Sequence, residues 1–157
     1  MAGASITRYQ VERFLAEVGA QPLNASRLHD VARRAFKAAG CRVISEYHGA
    51  GDAPVAIPDL VVWHDSLDFA HGSPIVVDVL ARTHATGAML PRLRATRRAS
   101  GARTMLALSS GGHAPRVDID TDGSHIIEAS FKSLLEQLRA KDLNDALSGL
   151  VRLAGQR

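Results

Sequence analysis

The strongest constraint on the fold is one clear amphipathic helical pattern followed by several short runs rich in Val and Ile. Residues 28–39 repeat apolar side chains at i, i+3 and i+4, which predicts a helix that Gly40 ends. Strand-like runs follow at residues 41–47, 57–63, 75–80 and 104–108, with a short edge strand at 116–120. Pro91 fits the first turn of a further helix between the third and fourth strands. This order predicts an α/β fold: a mixed sheet of four to five strands flanked by helices, with a meander first and then a crossover to a parallel strand.

The length of 157 residues suits one domain with a full-sized core. We therefore expect a single domain over residues 1–157, with the sheet and its helices in about 26–120. Apolar residues at helical spacing predict a C-terminal helical extension over about 124–154. The apolar faces of these late helices make them the candidate surface for a homodimer or a larger complex.

Two of the strand-like runs contain an aspartate. Asp59 lies in Ile-Pro-Asp-Leu-Val-Val-Trp and Asp78 in Pro-Ile-Val-Val-Asp-Val-Leu. A carboxylate among Val and Ile is costly to bury unless something pairs with it or coordinates it. Two carboxylates on neighbouring strands suit a hard divalent cation such as Mg²⁺. The alternative is that each aspartate ends its strand near solvent.

Charge is distributed unevenly along a chain whose net charge is only +3. No acidic residue occurs between Asp78 and Asp118, whereas that stretch contains seven arginines. Arginine suits phosphate recognition because its guanidinium presents a planar fork of donors. The pattern predicts a nucleic-acid-binding surface, with DNA as the expected partner. The candidate contacts are Arg92, Arg94, Arg97 and Arg98, and we expect Arg94, Arg97 and Arg98 to share the outward side of their helix. The alternative is an ordinary solvated helix.

The order of elements, with Pro-Asp at the head of the second strand and Asp-x-aliphatic in the third, resembles the PD-(D/E)XK nuclease superfamily. Restriction endonucleases and Holliday-junction resolvases are members. The resemblance covers residues 26 to about 110 and implies that Asp59 and Asp78 hold one or two Mg²⁺ ions in a phosphodiester-hydrolysing site. It also implies a further acidic ligand, for which Asp30 on the first core helix is the candidate and Glu46, at the end of the first strand, is a second one. The alternative role of Asp30 is to stabilise the helix dipole.

One position departs from the family pattern, because Leu80 stands where the resemblance implies a catalytic lysine. Strand alternation places Arg82 on the same face as Asp78 and Leu80, so Arg82 is the candidate replacement. A guanidinium can stabilise transition-state charge but is a poor proton acceptor. Lys37, on the core helix, is another candidate. Three functions remain open: a Mg²⁺-dependent nuclease, an inactive nuclease-like domain that binds nucleic acid, and an assembly subunit.

Apolar run length, cysteine content and histidine spacing limit the location and the metal sites that we expect. The longest apolar runs are far shorter than the roughly 20 residues of a membrane span. Cys41 is the only cysteine, which excludes an internal disulfide and any Cys-based zinc motif and favours a reducing, cytoplasmic location. The seven histidines show no spacing typical of zinc ligands.

Overall fold

The computed structural model describes residues 3–20, 23–45, 57–68, 70–80 and 89–156. Within these ranges the chain forms five α-helices and one six-stranded sheet. The helices are α1 (Arg8–Ala20), α2 (Ala25–Ala38), α3 (Leu90–Ser100), α4 (Phe131–Leu138) and α5 (Leu143–Gly155). The strands are β1 (Arg42–Ser45), β2 (Leu60–Trp63), β3 (Ile75–Leu80), β4 (Thr104–Ser109), β5 (Arg116–Ile119) and β6 (His125–Ser130). The predicted α/β class is confirmed, with one strand more than the four to five expected.

The sheet has the strand order β1-β2-β3-β4-β6-β5. The first three strands form an antiparallel meander, whereas β3, β4 and β6 run parallel to one another. Strand β5 pairs antiparallel with β6 at the edge. The expected meander followed by a crossover helix is therefore present, and β3 is the strand at which antiparallel pairing changes to parallel pairing.

Local sequence signals explain where the helices begin and end. Thr7 and Gln10 form a capping box: the Thr7 N–H donates to Gln10 Oε1, and the Gln10 N–H donates to Thr7 Oγ1. Helix α2 is capped by Asn24, whose side chain accepts from Arg27 N–H. Asp142 caps α5 in the same way. Gly101 ends α3 with φ of 73°, a conformation that favours glycine.

Two apolar layers cover the sheet. The larger layer joins one face of the sheet to α1, α2, α4 and α5, and the smaller one joins the other face to α3. Leu143, Ala146, Leu147 and Leu150 of α5 are fully buried within the chain. The apolar faces of the C-terminal helices thus pack against their own sheet, so the homodimer prediction loses the surface on which it was based.

Strand β6 is the element that sequence reasoning missed, because residues 124–154 were expected to be helical throughout. The chain between β5 and β6 turns tightly, with Asp120 N–H donating to the Ser124 carbonyl and Gly123 at φ of 85°. Asp122-Gly123 is a typical hairpin sequence, so a signal for this hairpin was present. Because β6 inserts between β4 and β5, it places Glu128 on an interior strand next to the edge of the sheet.

Candidate functional site

The two aspartates lie side by side on β2 and β3. The antiparallel register pairs Leu60 with Val77 and Val61 with Val76. Continuing this register by one residue sets Asp59 opposite Asp78. Asp59 is half-buried just before β2 begins, and Asp78 is only 8% exposed. The prediction that these residues meet across adjacent strands is confirmed.

Each aspartate accepts a hydrogen bond from the other's strand. Asp59 N–H donates to Asp78 Oδ1 at 3.1 Å, and Val79 N–H donates to Asp59 Oδ2 at 2.8 Å. These reciprocal bonds continue the pairing of β2 and β3 one step beyond the regular ladder. They also fix the positions of both carboxylates, which is what a preorganised binding site requires.

Helix α2 reaches this end of β2 through a histidine. His29 Nε2 lies 3.3 Å from the carbonyl oxygen of Asp59. The helix that precedes the sheet in sequence therefore packs beside the aspartate pair, as the element order predicted. Its buried face, which includes Leu28 and Val31, joins the larger apolar layer.

Asp30, the expected third ligand, is engaged elsewhere. Its carboxylate accepts from Arg33 at 3.1 Å and from Arg34 at 3.0 Å, both on the next turn of α2. Such i, i+3 and i, i+4 pairs are typical of an exposed helix surface. No group of three or more His, Cys, Asp or Glu side chains suited to a metal occurs in the described ranges. Asp30 thus does not join Asp59 and Asp78, contrary to the expectation.

Two other expected site residues, Glu46 and Arg82, lie outside the described residues. Lys37 is exposed on α2. Leu80, which replaces the lysine, is 8% exposed and belongs to the apolar layer beneath α3, together with Leu93 and Met105. The position at which the resemblance implies a charged group is therefore a packing position in this chain.

The parallel pairing reveals a second buried carboxyl that the sequence did not indicate. Asp78 pairs with Ala107, and Ala107 pairs with Glu128, so these three residues form one row on the α3 face of the sheet. Glu128 is 9% exposed, and burial raises its pKa, while Arg116 and His113 act in the opposite direction. Two strand spacings separate the backbones of Asp78 and Glu128, about 10 Å.

A serine and a histidine extend this polar row towards the ends of the strands. Ser109 pairs with Leu80 in the parallel ladder, and its hydroxyl lies 2.7 Å from His113 Nε2. His113 Nδ1 is 3.0 Å from the Ala114 carbonyl, so it can donate to that oxygen while Nε2 contacts the Ser109 hydroxyl. Ser109 is buried. The geometry is that of a well-oriented hydrogen bond that fixes the loop after β4.

The arginines of α3 do not form the open cationic face that was expected. Arg97 is buried: its guanidinium donates to Asp120 at 2.9 Å and to the Ala102 carbonyl at 3.2 Å. The expectation that Arg97 faces outward is wrong, because position 97 follows Leu93 by one helical turn and lies on the face towards the sheet.

Arg94 and Arg98 of α3 also form ion pairs with acidic side chains. Arg94 forms a two-pronged pair with Asp118 at 2.7 and 2.8 Å, and Arg98 donates to Asp120 at 2.9 Å. The acids that are distant in sequence thus lie directly against the basic helix in space. Arg92 is exposed and makes no ion pair with a described residue. Of the four candidates for phosphate contact, Arg92 alone is unengaged within the described ranges.

The single cysteine has no reactive character. Cys41 is buried at the start of β1, and burial raises its pKa to about 12. Cys41 is therefore a small core residue rather than a nucleophile.

Comparison with known proteins supplies no assignment. No protein-family model matches the sequence, and no curated protein matches it. None of the helices in the described ranges combines the length and the apolar character needed to cross a bilayer.

Proposed function

We propose that this chain is a nuclease-fold protein that binds Mg²⁺ between Asp59 and Asp78 and acts on nucleic acid. The observation that carries the proposal is the reciprocal hydrogen bonding of the two aspartates at the start of β2 and near the end of β3. The order α2, β1, β2, β3, α3, β4 adds support, because it is the order on which the resemblance to the PD-(D/E)XK nucleases rests.

The residues present fit the ion. Mg²⁺ favours oxygen ligands and is commonly held by one or two carboxylates, with water and substrate phosphate completing its octahedral shell. Asp59 and Asp78 provide two carboxylates whose positions are fixed by backbone donors. When bound, the ion would supply charge neutralisation and water activation for phosphodiester hydrolysis. The protein's own part is to fix these carboxylates and to keep the neighbouring strands in register.

The same structure limits the rate that we expect. Leu80 packs in the core and cannot stabilise charge at the reacting phosphate, and losing one such group typically lowers the rate about 10²–10³-fold. We therefore expect slow hydrolysis unless Arg82 or another basic group enters the site. The second candidate function, an inactive nuclease-like domain that binds nucleic acid or serves assembly, is favoured by the burial of Leu80. A cytoplasmic location is part of the proposal and rests on the single cysteine.

Calorimetric titration of Mg²⁺ and Mn²⁺ into the purified protein tests the cation site. Asp59→Asn and Asp78→Asn each keep an acceptor oxygen for the backbone bond but remove the charge. We expect either substitution to weaken binding at least about tenfold, since a hard cation requires carboxylate charge. Asp68→Asn, at an exposed acid outside the pair, is the matched control and should bind like the wild type.

The result also separates the two candidate functions. Cation binding that depends on both aspartates, with measurable cleavage of DNA or RNA, supports the nuclease. Cation binding without cleavage supports the inactive domain. If the wild type binds neither ion, the Asp59–Asp78 pair is a structural link between strands and the metal site is refuted.

A further inference from the structure

A cavity of about 340 Å³ lies on the opposite face of the sheet from the aspartate pair. Strands β5 and β6 form one side of it and α5 the other, and His71, in the turn before β3, lies at its base. Asp78 belongs to the face that packs on α3, because it alternates with Val77 and Val79 of the larger layer. The cavity and the proposed cation site therefore share no residue.

The cavity walls are mostly apolar. Val117 and Ile119 of β5 face Val151 of α5 across it. Ile119 is 71% exposed, which is unusual for a large aliphatic side chain, and it lies on an edge strand. An apolar ligand that filled the cavity would cover this side chain and gain the free energy of removing it from water.

A small polar group lies at the base of the cavity. His71 is buried, and its Nε2 is 3.0 Å from the Ser148 hydroxyl. The His71 and His125 rings meet edge to face with centroids 5.7 Å apart. Burial lowers the pKa of both histidines, so both imidazoles are neutral at pH 7.

One hydrogen-bonding atom of this group lacks a partner among the described residues. His71 Nδ1 is buried and has no such partner, while a hydrogen bond of the ring with the Asn144 backbone opposes part of the effect of burial on the His71 pKa. Buried polar atoms without a partner are rare in folded proteins and are costly. They often occur where a ligand or a water molecule completes the site.

The charge around the cavity has one sign. Arg152 of α5 lines the opening and makes no ion pair with a described residue. No acidic side chain is among the described residues that line the cavity. Arg103 adds to the positive surroundings, since its charge contributes to lowering the pKa of both His71 and His125. An unpaired guanidinium beside an apolar cavity suits a carboxylate, whose two oxygens match its fork of donors.

We propose that this cavity binds a small apolar carboxylate, with its body between β5 and α5 and its anionic end at Arg152. Cavity size limits the ligand: a cavity of about 150 Å³ holds benzene, so this cavity of about 340 Å³ holds at most roughly thirteen non-hydrogen atoms. An aryl-alkyl acid or a medium-chain acid meets this requirement. Phosphate esters fit less well, because the walls are apolar and offer few donors.

The test uses 3-phenylpropionate as the probe and its neutral amide, 3-phenylpropionamide, as the matched ligand. Both are titrated into the full chain and followed by amide chemical shifts, up to about 10 mM so that even a millimolar ligand approaches saturation. We expect saturable shifts confined to β5, the turn to β6, the start of β6, α5 and the turn at His71. The acid should bind roughly two- to fivefold more tightly than the amide, because an exposed charge-assisted pair with Arg152 is lost in the amide.

Two variants make the assignment specific. Arg152→Gln should remove the preference for the acid while leaving the affinity for the amide unchanged, and the exposed site should tolerate it without loss of folding. Lys132→Gln removes an equal charge from an exposed site on α4 and should behave like the wild type. The proposal is overturned if the acid does not saturate, if its shifts lie elsewhere, if acid and amide bind equally, or if Arg152→Gln leaves the preference intact.

Discussion

Arg97 and Arg98 form a natural matched pair for testing how the basic helix is used. Both guanidinium groups reach Asp120 Oδ2 at 2.9 Å, but the Arg97 side chain is 5% exposed and the Arg98 side chain 61%. Arg97 also donates to the Ala102 carbonyl at 3.2 Å. Replacing each arginine by methionine keeps the aliphatic stem and removes only the charged head.

The two substitutions should lower the free energy of unfolding by very different amounts. Arg97→Met removes two charge-assisted hydrogen bonds, worth about 1.5–3 kcal/mol each, and leaves the Ala102 carbonyl without its donor. Relief of the Arg97 desolvation cost offsets part of this loss. Asp120 is not left alone, because Arg98 and the Thr121 N–H still contact it. We expect a net loss of about 2–3 kcal/mol for Arg97→Met and less than about 1 kcal/mol for Arg98→Met, an exposed pair.

Urea and thermal unfolding followed by circular dichroism measure the difference. For a chain of this length a loss of about 2–3 kcal/mol lowers Tm by roughly 4–12 °C. If Arg97 faced solvent and were available to phosphate, both variants would be nearly silent. Free energies of unfolding that agree within about 0.5 kcal/mol, the usual range for surface changes, would refute the buried role of Arg97.

The remaining predictions concern acid sensitivity and the lysine position. The backbone N–H of Thr121 and the Arg98 side chain hold the pKa of Asp120 at about 2, below its ordinary 3.8, so its stabilisation is present above pH 3.8 and lost as pH falls towards 2. Asp120→Asn should flatten urea midpoints over this window, and an unchanged pH slope would contradict the assignment. The pKa of Glu128 is raised instead, so its effect has the opposite sign: stability is lost as pH rises above 4.5 through the folded pKa. Glu128→Gln should remove that loss and raise the midpoint at pH 7 relative to wild type. Leu80→Lys should lower the free energy of unfolding by about 2–4 kcal/mol, because it removes a buried leucine and brings a charge against Leu93 and Met105. A variant as stable as the wild type would show that Leu80 is not a core residue.

Much of the fold follows from local signals in the sequence. The 28–39 pattern produced helix α2, and Pro91 and Gly101 bracket α3. The Val- and Ile-rich runs produced β2, β3 and β4, and the adjacency of Asp59 and Asp78 followed from their strand order. These features succeed because helical and strand periodicities and caps act within a few residues.

What could not be predicted depends on contacts between distant segments. Arg94 and Arg97 looked like an open basic face because their partners, Asp118 and Asp120, lie more than twenty residues later in the sequence. The row through Ala107 and Glu128 required the position of β6, which is set by sheet order rather than by local pattern. Charge segregation along a sequence therefore does not establish charge segregation on a surface.

The buried and half-buried carboxyl groups in and beside the sheet differ in the groups that compensate them. Asp59 and Asp78 accept backbone donors, and Asp120 accepts from two arginines. Glu128 makes no hydrogen bond with a described residue, although it is almost as buried as Asp78. A buried ionisable group whose desolvation cost is not offset by hydrogen bonds or ion pairs occurs most often at functional sites. Because Glu128 shares a row with Asp78 on the α3 face, the proposed cation site has a further buried carboxyl two strands away.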